Sequence, residues 1–150
     1  MENEPKLFKG NMFIDDRGEL SFNNDFNMSA IKRFYMVSNF KPNFIRAWHG
    51  HKNEGKYVTV VSGVAVINVI EIDDWKKPTR NLKGHRYILS AKQPSILYIP
   101  KGYVNGFMNL TVDTKLIFFS TSTLEESKGD DYRYDVDHFG HRFHWTIKER

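Results

Sequence analysis

The chain has 150 residues, no cysteine, 22 basic against 18 acidic residues and a formal net charge of +4. Without cysteine it has no disulfides, thiolate metal centres, iron–sulfur clusters or cysteine nucleophiles. No run approaches the roughly 18 consecutive apolar residues of a membrane span, and the length suits one domain over 1–150.

The amino-terminus, Met1-Glu2-Asn3-Glu4-Pro5-Lys6, is acidic and lacks an apolar segment, so a cytoplasmic protein without a secretion signal is expected. The first strong element is Ile31–Ser38, β-branched and aromatic. Lys56–Val61 and Val64–Ile72 flank Ser62-Gly63 and predict a hairpin. Lys76–Gly84 is a polar loop. Arg86–Leu89, Ser95–Ile99 and Thr114–Thr121 complete a series of short strands. No window of about 11 residues carries a helical apolar period. The pattern predicts an all-β sandwich or barrel. Aromatic residues, 15% of the chain, are expected chiefly in its core. Lys and Arg are scattered and no nucleic-acid-binding motif accompanies them, so nucleic acid is not an expected partner.

The densest chemistry lies in Arg46-Ala47-Trp48-His49-Gly50-His51-Lys52-Asn53-Glu54-Gly55-Lys56. Side chains at i and i+2 of a strand share a face, so His49 and His51 point the same way. Two such imidazoles can ligate a metal, bind substrate or act as a general base. Glu54 is the acid nearest to them and shares the parity of Lys56 unless the Asn53–Gly55 turn breaks it.

This stretch resembles the first cupin motif, a His-x-His pair followed by an acid and a glycine. Counting back from Gly63 places Lys56 at the acid position. Pro100-Lys101-Gly102-Tyr103-Val104-Asn105-Gly106-Phe107-Met108-Asn109 resembles the second motif, with Asn105 where a histidine belongs. A lysine beside a divalent cation is repulsive and two imidazoles hold a metal weakly, so no metal and no cofactor are expected. A cupin-type double-stranded β-helix, or jelly roll, is the expected fold.

The chain further resembles the nucleotide-sugar cupins, the dTDP-4-dehydrorhamnose 3,5-epimerases and the related 3,4-ketoisomerases. The fragments are Asp15-Asp16-Arg17-Gly18-Glu19-Leu20, Arg46–His49, Gly55-Lys56-Tyr57-Val58 and Ile99–Phe107. The resemblance implies an isomerase that removes a proton next to the ketone of a nucleotide-linked 4-keto-6-deoxy sugar and epimerises C3. It implies His49 as base and Lys56 on the keto oxygen, with Arg17 and Arg46 on the pyrophosphate. Asp135 or Asp137 is the implied orienting acid. Phe118 or Phe119 stands where the epimerases carry an acid tyrosine, so either another tyrosine, Tyr103 or Tyr132, serves or reprotonation comes from water, and C5 epimerisation is in question. Phe13 and Tyr103 are expected to stack on the base or sugar, and Asn105 and Tyr132 to contact substrate.

Two alternatives have their own features. Ile31-Lys32-Arg33-Phe34-Tyr35 and Asp131-Tyr132-Arg133-Tyr134-Asp135 are similar to ketoisomerase segments, a reaction in which His49 and His51 shuttle protons. A non-catalytic sugar-binding cupin fits the lost motif residues. The resemblance also implies a homodimer in which Phe13–Phe26 serves the partner's site.

Overall fold

The computed structural model describes residues 3–140 and 144–150; Met1 and Glu2 of the acidic amino-terminus lie outside the described residues. The early strands are β1 (Lys6–Phe8), β2 (Asn11–Asp15) and β3 (Gly18–Phe22). Then come β4 (Arg33–Val37), β5 (Ile45–His51), β6 (Lys56–Ser62) and β7 (Val64–Glu71). β8 (His85–Ser90), β9 (Ile96–Ile99), β10 (Tyr103–Asn109) and β11 (Lys115–Ser120) follow, with helix α1 (Leu124–Lys128) and β12 (Tyr132–Arg133) last.

Ten of these strands form two antiparallel five-stranded sheets, β1-β9-β6-β11-β4 and β12-β5-β10-β7-β8. Their inner faces share one core, in which Val58, Leu97, Leu116 and Phe118 of the first sheet meet Ile67, Val69, Leu89 and Phe107 of the second. This is the expected jelly roll. Each fully buried aliphatic side chain of this core contributes about 1.5–3 kcal/mol. β2 and β3 form a separate two-stranded hairpin.

The hairpin expected at Ser62-Gly63 does not form. β6 and β7 belong to different sheets, and the turn carries the chain from one sheet to the other. Gly63 makes the corner with φ 73°, and a Cβ there would lie 2.3 Å from Thr111 Oγ1.

The outer face of the second sheet is also buried. Trp48, Val66, Ile70, Val104 and Met108 are covered there by Phe139 and Trp145. Trp48 donates its indole N–H to the Val136 carbonyl at 3.2 Å and meets the Phe139 ring edge-on at 5.4 Å. β7 is therefore buried on both faces, which explains an apolar run from Val64 to Ile70 interrupted only by Asn68. Helix α1 is five residues long, too short to leave a period in the sequence. Thr123 and Glu126 start it with a reciprocal capping box.

One irregularity shapes the site. Along β5, Arg46 pairs with Phe107 and His49 with Asn105, and the register slips between these pairs. Ala47 and Trp48 both turn to the outer core, so Arg46 and His49 share the inner face although they are three positions apart.

Candidate active site

At one end of the jelly roll a cavity of about 370 Å³ opens between the sheets. β4 supplies Arg33 and Tyr35, β5 supplies His49 and His51, and β6 supplies Lys56. Asp131 and Arg133 close one side at β12, and α1 contributes Leu124, Ser127 and Lys128. Strand alternation selects these groups. Arg33 and Tyr35 face in, whereas Phe34 and Met36 face out and are exposed.

The two imidazoles are held neutral. Burial lowers the pKa of His49, and the nearby cations Arg133 and Lys56 add to the effect. His51 is lowered by burial and by Lys56, against an upward pull from Glu54 and the Asp130 carbonyl. That carbonyl lies against His51 Nδ1. A carbonyl only accepts, so Nδ1 carries the proton and Nε2 presents its lone pair. The Asp130 carboxylate accepts from the Lys52 and Asn53 amides, both at 2.8 Å, and ties the segment before β12 to the end of β5.

Lys56 is buried, and burial pulls its ammonium down to about 8, with Glu54 opposing and Arg33 reinforcing the fall. Tyr35 stacks on Phe118 with ring centroids 5.1 Å apart and planes 9° from parallel. Burial and the Glu54 charge raise its phenol well above the usual value, so it stays protonated. The cavity thus combines two neutral bases, one protonated phenol and a lysine that carries its charge at neutral pH. Such a set can remove a proton from carbon, receive charge on oxygen and return a proton. Among the described residues, no three His, Asp or Glu side chains are grouped to hold a metal ion.

His49, His51 and Lys56 are brought together as the sequence suggests. Asn105 is buried and pairs directly with His49 on the neighbouring strand. The other predicted residues lie elsewhere. Tyr103 packs in the inner core and donates its hydroxyl to the Asn3 carbonyl at 3.0 Å, outside the cavity lining. Tyr132 pairs with Gly50 and faces outward, 4.8 Å from the Trp75 ring. Its neighbour Arg133 pairs with His49 and faces in. Asp135 and Asp137 belong to the segment that covers Trp48 and are not among the residues lining the cavity. The acid on the cavity wall is Asp131, whose charge raises His49 slightly against the cations.

Arg46 donates to Asn39 Oδ1 at 2.7 Å and is exposed outside the lining. Arg17 and Phe13 belong to the β2–β3 hairpin, where Arg17 pairs with Asp15 at 2.5 Å and both border a separate hollow. Sequence reasoning missed Tyr35, Asp131 and Arg133 as individual site residues. The available signals were the Lys-Arg-x-Tyr and Asp-Tyr-Arg-Tyr-Asp segments, whose parity only the register resolves.

A jelly roll whose open end holds two inward histidines and a buried lysine defines the chain as a cupin with an acid–base site. More particularly, it belongs to the dTDP-4-dehydrorhamnose 3,5-epimerase family, whose model matches residues 3–150. This is a family of nucleotide-sugar isomerases, in keeping with the resemblance of its motifs. A search of curated proteins found no match. Among solved structures, the RmlC epimerase of Mycobacterium tuberculosis superposes with TM-score 0.71 at 14% identity, covering 89% of this chain and 70% of that one. The ChmJ 3'-monoepimerase of Streptomyces bikiniensis, in complex with dTDP-quinovose, gives 0.72 at 16% identity over 89% and 71% of the chains. A mutant of the QdtA 3,4-ketoisomerase of Thermoanaerobacterium thermosaccharolyticum, in complex with TDP-4-keto-6-deoxyglucose, gives 0.67 at 18% identity over 93% and 94%. At these identities the superpositions show the shared fold.

Proposed function

We propose that this protein epimerises C3 of a nucleotide-linked 4-keto-6-deoxy sugar. The observation that carries the assignment is one small cavity lined by His49, Lys56 and the stacked Tyr35. His49 takes the C3 proton, and the electron pair of that C–H bond moves into the C4 carbonyl. The oxygen becomes an enolate beside the Lys56 ammonium, where a fixed positive charge is worth most. As the enolate collapses to the ketone, C3 is reprotonated on its other face by the Tyr35 hydroxyl; the phenolate then takes a proton from solvent and the His49 imidazolium gives one up to it. These proton transfers call for no cofactor. Tyr35 takes the place of the tyrosine that Phe118 lacks, because the two residues occupy paired positions on adjacent strands. Asp131, Lys128 and Arg133 lie at the mouth, and the two cations suit a diphosphate.

A second assignment, the 3,4-ketoisomerase, is favoured by one observation: His51 also lines the cavity with its Nε2 lone pair available. Two adjacent bases suit a proton moved between C3 and the C4 oxygen.

We also place the enzyme in the cytoplasm as a homodimer. No helix among the described residues is long and apolar enough to cross a membrane. Support for the dimer is the β2–β3 hairpin, which leaves Phe13 57%, Ile14 69% and Leu20 62% exposed beside Arg17. Docked on a second copy, it brings Arg17 and Phe13 toward that copy's cavity.

The test is incubation with nucleotide 4-keto-6-deoxy sugars in D₂O, followed by NMR. Deuterium at C3 with inversion there is the expected result. A 3-keto product selects the ketoisomerase. No exchange with any such sugar leaves a non-catalytic sugar-binding cupin.

A further inference from the structure

Behind the cavity wall lies an acid that touches no solvent. The Glu54 side chain is 0% exposed. Its Oε2 accepts from Ser120 Oγ at 2.8 Å and lies 3.6 Å from the Arg33 guanidinium. Its Oε1 has no hydrogen-bond partner and lies 3.6 Å from His51 Nδ1. Arg33 Nε is likewise buried without a hydrogen bond. A carboxylate is retained in such a place only when cations compensate for the lost water. They come from two strands, Arg33 on β4 and Lys56 on β6, while Nδ1 of the neutral His51 on β5 lies beside Oε1.

We propose that Glu54 is a positioning residue, a buried counter-charge that holds Arg33 and Lys56 as neighbouring cations in one cavity wall. Without it, two positive charges would share a wall of low dielectric, and the lysine, whose ammonium is the stronger acid of the two, would give up its proton. The other charged and titratable groups that face this cluster are Tyr35 on β4, His49 and His51 on β5, and Asp130, Asp131 and Arg133 near β12. Of the influences that keep Lys56 charged, Glu54 is the largest, ahead of Asp131 and Asp130; burial and Arg33 act against it. The carboxylate thus sets whether the oxygen-binding group carries charge at the pH of the reaction. That consequence for turnover rests on the isomerase assignment, whereas the charge arrangement does not.

The test titrates Lys56 directly. In protein labelled with ¹³C at lysine Cε, the Lys56 resonance is assigned by its loss in Lys56→Arg and followed by NMR against pH. In Glu54→Gln the midpoint is expected to fall by about one pH unit or more, a tenfold or larger change in acidity. In Arg33→Gln it is expected to rise, because the competing cation is gone. An unmoved midpoint in Glu54→Gln, or a shift in the same direction in both variants, overturns the proposal. Should Glu54→Gln not fold, Arg33→Gln decides alone, and a fall or no change there overturns it. With substrate, the alkaline limb of C3 exchange is expected to follow the NMR midpoint. No exchange by the unaltered protein would sink the isomerase assignment and leave the titration to judge Glu54.

Discussion

Tyr35 and Phe118 are paired residues on adjacent strands, and their rings stack 5.1 Å apart over the wall of the cavity. The strand that lacks a phenol therefore receives one from its neighbour. Tyr35→Phe removes the hydroxyl and keeps the stack. It is expected to lower the rate of C3 inversion by about 10²-fold or more while KM changes little, in line with the loss of a general acid. Tyr103→Phe should leave the rate intact, since its hydroxyl binds the Asn3 carbonyl. Steady-state kinetics of the two variants side by side checks this; equal rates would remove Tyr35 from the chemistry.

His49→Asn keeps a polar side chain of similar size and deletes the base. Deuterium incorporation at C3 is expected to fall by about 10²–10⁴-fold. Circular dichroism and melting temperature should stay close to those of the unaltered protein. Exchange that survives in His49→Asn but not in His51→Asn would move the base one alternate position along β5.

The two critical groups define a pH window. His49 acts when neutral, and burial lowers its pKa below the ordinary 6.5, so the acid limb of kcat/KM lies below that value. Lys56 acts when charged, and it loses its proton at about 8. The profile is expected to be a bell with its maximum near neutrality. In Lys56→Arg the alkaline limb should disappear from the range below about pH 10, because guanidinium does not titrate there. An alkaline limb unchanged in that variant would assign it to another group.

The exposed hairpin gives a test of assembly. Ile14→Glu with Leu20→Glu places two charges on its apolar surface, away from the barrel core. A dimer is expected to become a monomer in sedimentation analysis, with the melting transition retained and turnover lost. A persistent dimer would locate the interface elsewhere.

Core packing supplies a stability prediction. Leu116 is fully buried between the sheets. Leu116→Ala should cost about 2–5 kcal/mol in urea unfolding, since the removed methyl groups leave a cavity that the strands cannot collapse. An exposed counterpart on β4, Met36→Ala, should cost far less.

Much of this site is visible in the residues alone. The alternation of a strand is local chemistry, so His49 and His51 had to share a face, and Lys56 at the head of an apolar run had to enter the barrel with it. Four other placements were not local. Tyr132 and Arg133 are adjacent, and only pairing with Gly50 and His49 decides which of them enters the cavity. Arg46 shares a face with His49 only because the β5–β10 register slips. Asp137 belongs to the segment that covers Trp48 and is not among the residues lining the cavity. Ser62-Gly63 resembles a hairpin turn, but β6 and β7 find their partners in different sheets.

The amino-acid order by itself determined the all-β character, the family and the nature of the charges at hand, because strand propensity, motif spacing and side-chain chemistry are properties of short segments. The tertiary structure alone decided that Tyr35 meets Phe118, that Asp131 rather than Asp137 lines the cavity, and that Glu54 is sealed between three strands. Those relations depend on which distant strand lies alongside and in what register. That choice is made by burial of the whole core, and no single segment contains it.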